Sequence, residues 1–229
     1  MISTSYRQLA HIVKRLTMPV ATTPSRSLKR LLDLVCALPI AALFAVPLAA
    51  VSIGSAIAFR AWPFFVQRRE GEGGRDFTIV KIRSLQKSAP PEHAKNEPDV
   101  IQTNAFGRLI RRYHVDEMTQ VFQVLSGHMS LVGPRPEMLS LIERYSDEQL
   151  EARRAFKPGL TGLWQLSPDA SRMMYEVPEY DLCYASNWSL RLDIWILFLT
   201  AMQPLRSVTP RLFRWVERHT LALCRAETH

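Results

Sequence analysis

Adjacent carboxylates, Asp116 and Glu117, lie between Arg108, Arg111 and Arg112 upstream and Arg135 downstream, the last held between Pro134 and Pro136. Taken singly, neighbouring acids are an ordinary solvated pair and each arginine is ordinary surface. Together they suit chemistry on phosphate. A guanidinium presents a planar fork to phosphate oxygens, a carboxylate can hold Mg²⁺, and a carboxylate can attack phosphorus to give an acyl phosphate.

Positioning these groups requires a scaffold, and the flanking sequence outlines one. Residues 119–125 read as a helix entered just after Asp116-Glu117, a placement of acids that suits a helix N-terminus. Residues 63–83 read as a β-hairpin, two Phe/Val/Ile-rich runs around a turn at Gly71, Gly73 and Gly74. No helical pattern follows those glycines, so they are not a dinucleotide fingerprint. The Gly133-Pro134-Arg135-Pro136 run must be extended or turned, because each proline restricts the residue before it. Helical patterning resumes over 137–156, stops before Lys157-Pro158-Gly159, and returns at 180–185 and 190–202. Residues 86–105, with Pro90, Pro91 and Pro98, read as an exposed loop. Few strands and many helices make the fold class α+β and helix-rich.

With 47% hydrophobic and 22% charged residues, the 229-residue chain is a core-forming globule, not a disordered or coiled-coil one. One stretch, residues 34–59, runs 26 residues without a charge, enough to cross a bilayer once and too little for a polytopic protein. The first 69 residues hold nine basic side chains and one acid, Asp33, so positive charge flanks the apolar run on both sides. Both flanks favour the cytoplasm, and the run is too long for a cleaved signal peptide. A segment that enters the membrane and returns reconciles the flanks, with Pro39 and Pro47 as points where a helix can break. On these features spanning and re-entrant forms both stay open. Residues 1–28 are basic and Ser/Thr-rich, suiting an anionic membrane surface. Residues 208–229 carry a basic amphipathic pattern that suits either that surface or a peripheral packing helix. The net charge of +8 would by itself suit nucleic acid, but no reader motif accompanies it. Cys36, Cys183 and Cys224 are too widely spaced to announce a disulfide scaffold or a zinc site.

Longer strings match a known pattern. Gly107-Arg108-Leu109-Ile110-Arg111, Asp116-Glu117 and the run from Gly127 through Gly133-Pro134-Arg135-Pro136-Glu137 closely resemble the bacterial sugar transferase family, the monotopic polyprenyl-phosphate phosphoglycosyl transferases. Lys29-Arg30 and Asp33, Gln67, Arg69, Gly71, Gly74, Phe77, Lys81, Arg83 and Ser84 fall on further elements of that pattern. So do Lys157-Pro158-Gly159, Leu163-Trp164-Gln165, Asp181, Tyr184, Asn187-Trp188-Ser189, Asp193 and Thr200.

This resemblance implies transfer of a sugar 1-phosphate from a UDP-sugar to undecaprenyl phosphate with release of UMP. Asp116 would be the nucleophile, Glu117 would hold Mg²⁺ and assist proton handling, and Arg135 would grip a phosphate. Arg69, Lys81, Arg83 and Arg111 would add positive charge around the transferred group. The Leu163-Trp164-Gln165 element is closer to the hexose-transferring branch. The implied layout is a basic segment 1–28, a re-entrant membrane helix 29–59, a catalytic domain 60–207 at the cytoplasmic face of the bacterial inner membrane, and an amphipathic helix 208–229. The resemblance implies the small form, without the N-terminal transmembrane bundle of larger members. Its partners would be the UDP-sugar, undecaprenyl phosphate and membrane lipids, with no nucleic acid and with room for a homodimer. The competing reading is a weakened paralogue acting as a membrane scaffold for polysaccharide assembly.

Departures from the pattern are specific. Met118-Thr119 replaces a usual Leu-Pro, Gln123 a usual asparagine and His128 a usual aspartate. The usual Ser-Gly-Arg after the Trp-Gln element is Ser167-Pro168-Asp169, and the usual Ser-Pro of the membrane helix is absent, with Val46-Pro47 nearby. If the replaced aspartate shapes the site, His128 should weaken it.

Overall fold

The computed structural model describes residues 25–88 and 103–203. The segment before residue 25, most of the expected 86–105 loop and the expected amphipathic helix 208–229 lie outside the described residues. Helix α1 (Arg26–Phe59) starts at Ser25, whose hydroxyl accepts from the Leu28 amide, and stops at Arg60 in the left-handed region. It stays helical through both Pro39 and Pro47, so the sites expected to break it do not end the helix. At 1.5 Å per residue its 34 residues make about 51 Å, long and apolar enough to cross a membrane.

The helix is fastened to the rest of the protein at both ends. Near its start, Arg30 donates to the carbonyls of Val124 (2.5 Å) and Leu125 (2.7 Å), taking up acceptors that a helix end leaves open. One turn on, buried Asp33 accepts from the Ser130 hydroxyl and the Leu131 amide, while Lys29 bridges Asp33 and Asp193. At the far end Ser55 donates to the Arg83 carbonyl and Asn104 to the Ala58 carbonyl. Between these ties Ala37, Ala41 and Leu48 enter the core. The opposite face leaves Leu31, Val35, Leu38, Leu43, Val46, Ile53 and Ile57 exposed.

The expected hairpin is present: β1 (Phe64–Glu70) pairs antiparallel with β2 (Asp76–Ile82), with Phe64 opposite Ile82. Gly73 and Gly74 take positive φ in its turn, which a side chain would strain. On its other edge β1 pairs with the short β4 (Glu137–Met138). A second, parallel pair joins β3 (Ser130–Val132) and β5 (Gly159–Thr161). Around these lie α2 (Ala105–Arg112), α3 (Gln120–Leu125), α4 (Asp147–Arg154), α5 (Leu163–Leu166), α6 (Glu179–Asn187) and α7 (Leu190–Met202). Helix-rich α+β is therefore the observed class.

The span 137–156 corrects the helix expected there. It divides into β4, a 3₁₀ segment over Leu139–Arg144 and α4. The break has a local cause: Ser146 and Gln149 form a reciprocal capping box that starts α4 anew, and Tyr145 is extended so that its hydroxyl donates to Glu137 at 2.7 Å. Among the described residues Cys36 is a free thiol.

Candidate active site

Asp116 and Glu117 occupy a 3₁₀ turn, Val115–Glu117, between α2 and α3. The turn follows His114, whose φ of 54° places it in the left-handed region. Its two acids meet different surroundings. The Glu117 carboxylate is held from both sides: Lys81 Nζ donates to Oε1 at 2.7 Å, and Arg135 forks onto Oε1 (2.8 Å) and Oε2 (3.2 Å). Buried Asp116 receives one hydrogen bond among the described residues, from the Ser84 hydroxyl to Oδ2 at 3.0 Å, and its Oδ1 has none.

Their acidities separate accordingly. Burial, reinforced by the neighbouring Glu117 charge, pushes Asp116 above the usual carboxylate value, against the opposing pull of Lys81, Ser84 and Arg111. Burial also works against ionising Glu117, but Arg135 and Lys81 together outweigh it and hold that carboxyl well below its usual value. The Glu117 charge in turn raises Arg135, while burial lowers Lys81.

These groups line an open pocket of about 270 Å³. All seven residues singled out in the sequence reach it: Arg69, Lys81, Arg83, Arg111, Asp116, Glu117 and Arg135. They are not equally free. Arg69 donates to Gln67 and the Pro136 carbonyl, and burial pushes its pKa down to about 10. Arg83 donates to the carbonyls of Trp62 and Phe64, holding the start of the hairpin. The Arg111 guanidinium makes no hydrogen bond among the described residues, while its carbonyl accepts from the His114 amide. Arg135 is braced from behind: Arg153, paired with Asp181, donates to its carbonyl at 2.5 Å, and the Arg135 guanidinium lies 5.8 Å from the Trp164 ring.

Sequence reasoning assigned no role to Ser84, His114, Trp164 or Arg172, all of which line the pocket. For Ser84 the signal was its place in the Lys81-x-Arg83-Ser84 element; for Arg172 there was none. The departures fall largely elsewhere. His128 is exposed, 2.9 Å from the Ser126 hydroxyl, and does not line the pocket. Gln123 accepts from the Val80 amide and donates to the Thr78 carbonyl, fastening α3 to β2. Met118 packs with the Leu48, Ile82 and Ile110 cluster, and Thr119 donates to the Val80 carbonyl.

Among the described residues no three His, Cys, Asp or Glu side chains gather into a ready metal cage. Mg²⁺ does not need one, since it binds through one or two carboxylates plus substrate phosphates and water. Both carboxylates stand in the pocket wall: Glu117 could offer a metal ligand by sharing oxygens already bonded to Lys81 and Arg135, and Asp116 keeps Oδ1 unbonded among the described residues.

Comparison with known proteins matches residues 24–207 to the bacterial sugar transferase family. The chain is 35% identical over 186 residues to an uncharacterized sugar transferase, EpsL, of Bacillus subtilis (strain 168), covering 79% of this chain and 88% of that one. It is 36% identical over 213 residues to the undecaprenyl-phosphate galactose phosphotransferase of Salmonella typhimurium, covering 82% of this chain and 42% of that one. Against the UDP-glucose:undecaprenyl-phosphate glucose-1-phosphate transferase of Xanthomonas campestris pv. campestris it is 35% identical over 173 residues, covering 70% and 35%. The chain thus spans less than half the length of these last two relatives. A match over this much of its length establishes that the chain belongs to the bacterial sugar transferase family.

Proposed function

We propose that this protein transfers a sugar 1-phosphate, of the hexose class, from a UDP-sugar to undecaprenyl phosphate, releasing UMP, as the initiating step of exopolysaccharide or other surface glycan synthesis. The observation that carries the reading is the division of labour within one carboxylate pair: Glu117 neutralised by Lys81 and Arg135, and Asp116 left with an unbonded oxygen in the same pocket. An Asp116 oxygen attacks the sugar-bearing phosphorus. The bond from that phosphorus to the bridging oxygen breaks, and UMP leaves with the electron pair. A phosphate oxygen of undecaprenyl phosphate then attacks the acyl phosphate, restoring the Asp116 carboxylate and forming the lipid diphosphosugar. Neither step demands a proton from the protein when both nucleophiles are anionic.

Arg135 and Lys81 would neutralise charge that accumulates on the transferred phosphoryl group, and Arg111 would add guanidinium donors that no described residue accepts. Mg²⁺ would be held by Glu117, sharing oxygens now bonded to Lys81 and Arg135, together with the donor phosphates, and would supply Lewis-acid neutralisation of those phosphates while Asp116 Oδ1 stays free to attack.

The membrane reading follows from how α1 is fastened. Both its N-terminal turns and its C-terminal turns bind the same body, and an apolar stripe runs along the outward face between them. A helix carrying its domain at both ends cannot place those ends on opposite sides of a bilayer. This supports seating from one side, at the cytoplasmic face of the bacterial inner membrane, where a soluble sugar nucleotide and a buried lipid can meet.

Detergent-purified protein given undecaprenyl phosphate, Mg²⁺ and a panel of UDP-sugars tests the reading. Lipid-dependent UMP release that vanishes in Asp116→Asn supports it; release that persists in that variant contradicts it.

A further inference from the structure

The pocket serves two anionic substrates in the reaction proposed above, and its walls are not equivalent. One wall is backed by α1, although no α1 residue lines the pocket. Helix α2, which carries Arg111, packs so closely on α1 that a Cβ on Gly54 would lie 2.9 Å from the Phe106 ring and one on Gly107 would lie 2.9 Å from the Phe59 ring. Thr103, just ahead of α2, donates to the Ser84 carbonyl, and Ser55 of α1 donates to the carbonyl of Arg83. A polyprenyl phosphate whose chain stays in the bilayer reaches the pocket from this side.

The second wall is the connection between α5 and α6. It packs on α6 rather than hanging free, with the Tyr180 hydroxyl donating to Asp169 at 2.5 Å. It carries Arg172, a pocket-lining guanidinium whose side chain is 52% exposed. The nearest acids, Asp169 (3.8 Å) and Glu176 (3.9 Å), lie beyond hydrogen-bond distance, and ion pairs so exposed contribute little. Lys81, Arg69, Arg83 and Arg135 all spend donors on protein acceptors. Among the described residues, the guanidiniums that line the pocket without making a hydrogen bond are Arg111 on the first wall and Arg172 on the second.

We propose that Arg172 binds the nucleotide phosphates of the donor, so that the sugar nucleotide lies along the α5–α6 wall while the lipid phosphate approaches from the α2 side. Turning Arg172 toward a phosphate sacrifices, among the described residues, only two long ion pairs, and a forked guanidinium suits the oxygens of a diphosphate. Its charge also offsets the negative charge that builds on the departing UMP. The assignment rests on the proposed phosphosugar transfer, but binding can be read without turnover.

The test is UDP affinity, measured by calorimetry on the full chain in detergent, for wild type, Arg172→Ala and Arg172→Lys, with melting temperature as the folding control. The expected result is a loss of about tenfold in Arg172→Ala, partial recovery in Arg172→Lys, and unchanged melting. In turnover, KM for the UDP-sugar rises in parallel and KM for undecaprenyl phosphate does not. UDP affinity within twofold of wild type in Arg172→Ala overturns the assignment, as does a rise confined to the lipid KM. If wild type releases no UMP from any donor, the proposed reaction fails while the UDP comparison still decides Arg172.

Discussion

Arg135 and Glu117 form a two-pronged ion pair, NH2 to Oε1 at 2.8 Å and NH1 to Oε2 at 3.2 Å, which joins the Gly133–Pro136 run to the turn carrying Asp116. Because Lys81 approaches the same carboxylate from β2, three separate elements converge on Glu117. That side chain organises the site as much as it contributes charge.

Replacing Glu117 with glutamine leaves Lys81 and Arg135 partly buried without their counter-charge, so Glu117→Gln is expected to cost about 3 kcal/mol of stability and nearly all UMP release. Arg135→Lys keeps the charge and loses the fork; kcat should fall by about tenfold or more with a small change in melting temperature. Calorimetric melting alongside single-turnover rates separates the two. Normal turnover in both variants would remove the organising role.

Asp116 must be ionised to attack, and its pKa lies above the usual carboxylate value. The rate should therefore fall as pH drops through that raised value, at higher pH than for an exposed aspartate. Ser84 donates to the ionised form, so Ser84→Ala raises the Asp116 pKa further and moves the acid limb of the pH–kcat profile upward. A limb that stays in place or moves down would exclude the hydrogen bond from tuning the nucleophile.

Asp33 ties α1 to β3 through Ser130 and Leu131, and pairs with Lys29 one turn earlier on α1. Asp33→Ala leaves the partly buried Lys29 with Asp193 as its partner among the described residues and strands the Leu131 amide, while the Ser130 hydroxyl can still donate to the Val132 carbonyl at 3.0 Å. A loss of about 3 kcal/mol is expected, read as a lower melting temperature in detergent. Little or no change in melting would show that α1 is held by apolar packing alone.

Gly133 has no room for a side chain: a Cβ there would lie 2.4 Å from the Lys157 carbonyl oxygen and 3.1 Å from the Gly159 nitrogen. Backbone cannot swing aside as a side-chain tip can. Gly133→Ala should therefore separate β3 from β5, displace the neighbouring Arg135 and reduce kcat by about tenfold or more at a lowered melting temperature. Wild-type kcat and melting together would contradict this.

Much of the site was legible because its chemistry is local in sequence. The Asp116-Glu117 pair, Arg135 between prolines, and Lys81 and Arg83 at the end of the hairpin all carry recognisable spacing, and all reach one pocket. The hairpin was legible from two Phe/Val/Ile-rich runs around a glycine turn, and α7 from its helical patterning. The 137–156 span was not, because a capping box at Ser146 and a buried bond from Tyr145 to Glu137 overrode a helical pattern. Arg172 was invisible for a different reason: its importance comes from which guanidiniums are already spent on protein acceptors, and only three-dimensional hydrogen bonding reveals that. Likewise His128 drew suspicion as a replaced aspartate, yet its side chain lies outside the pocket.

The most direct test of the account is to trap the covalent step. Protein is incubated with UDP-sugar carrying ³²P on the sugar-bearing phosphorus, without lipid, and then denatured and digested. The account predicts label on the peptide containing Asp116, discharged when undecaprenyl phosphate is added before denaturation, and absent in Asp116→Asn. Wild-type protein that turns over donor and lipid while retaining no label under any quench, with Asp116→Asn equally active, would contradict it.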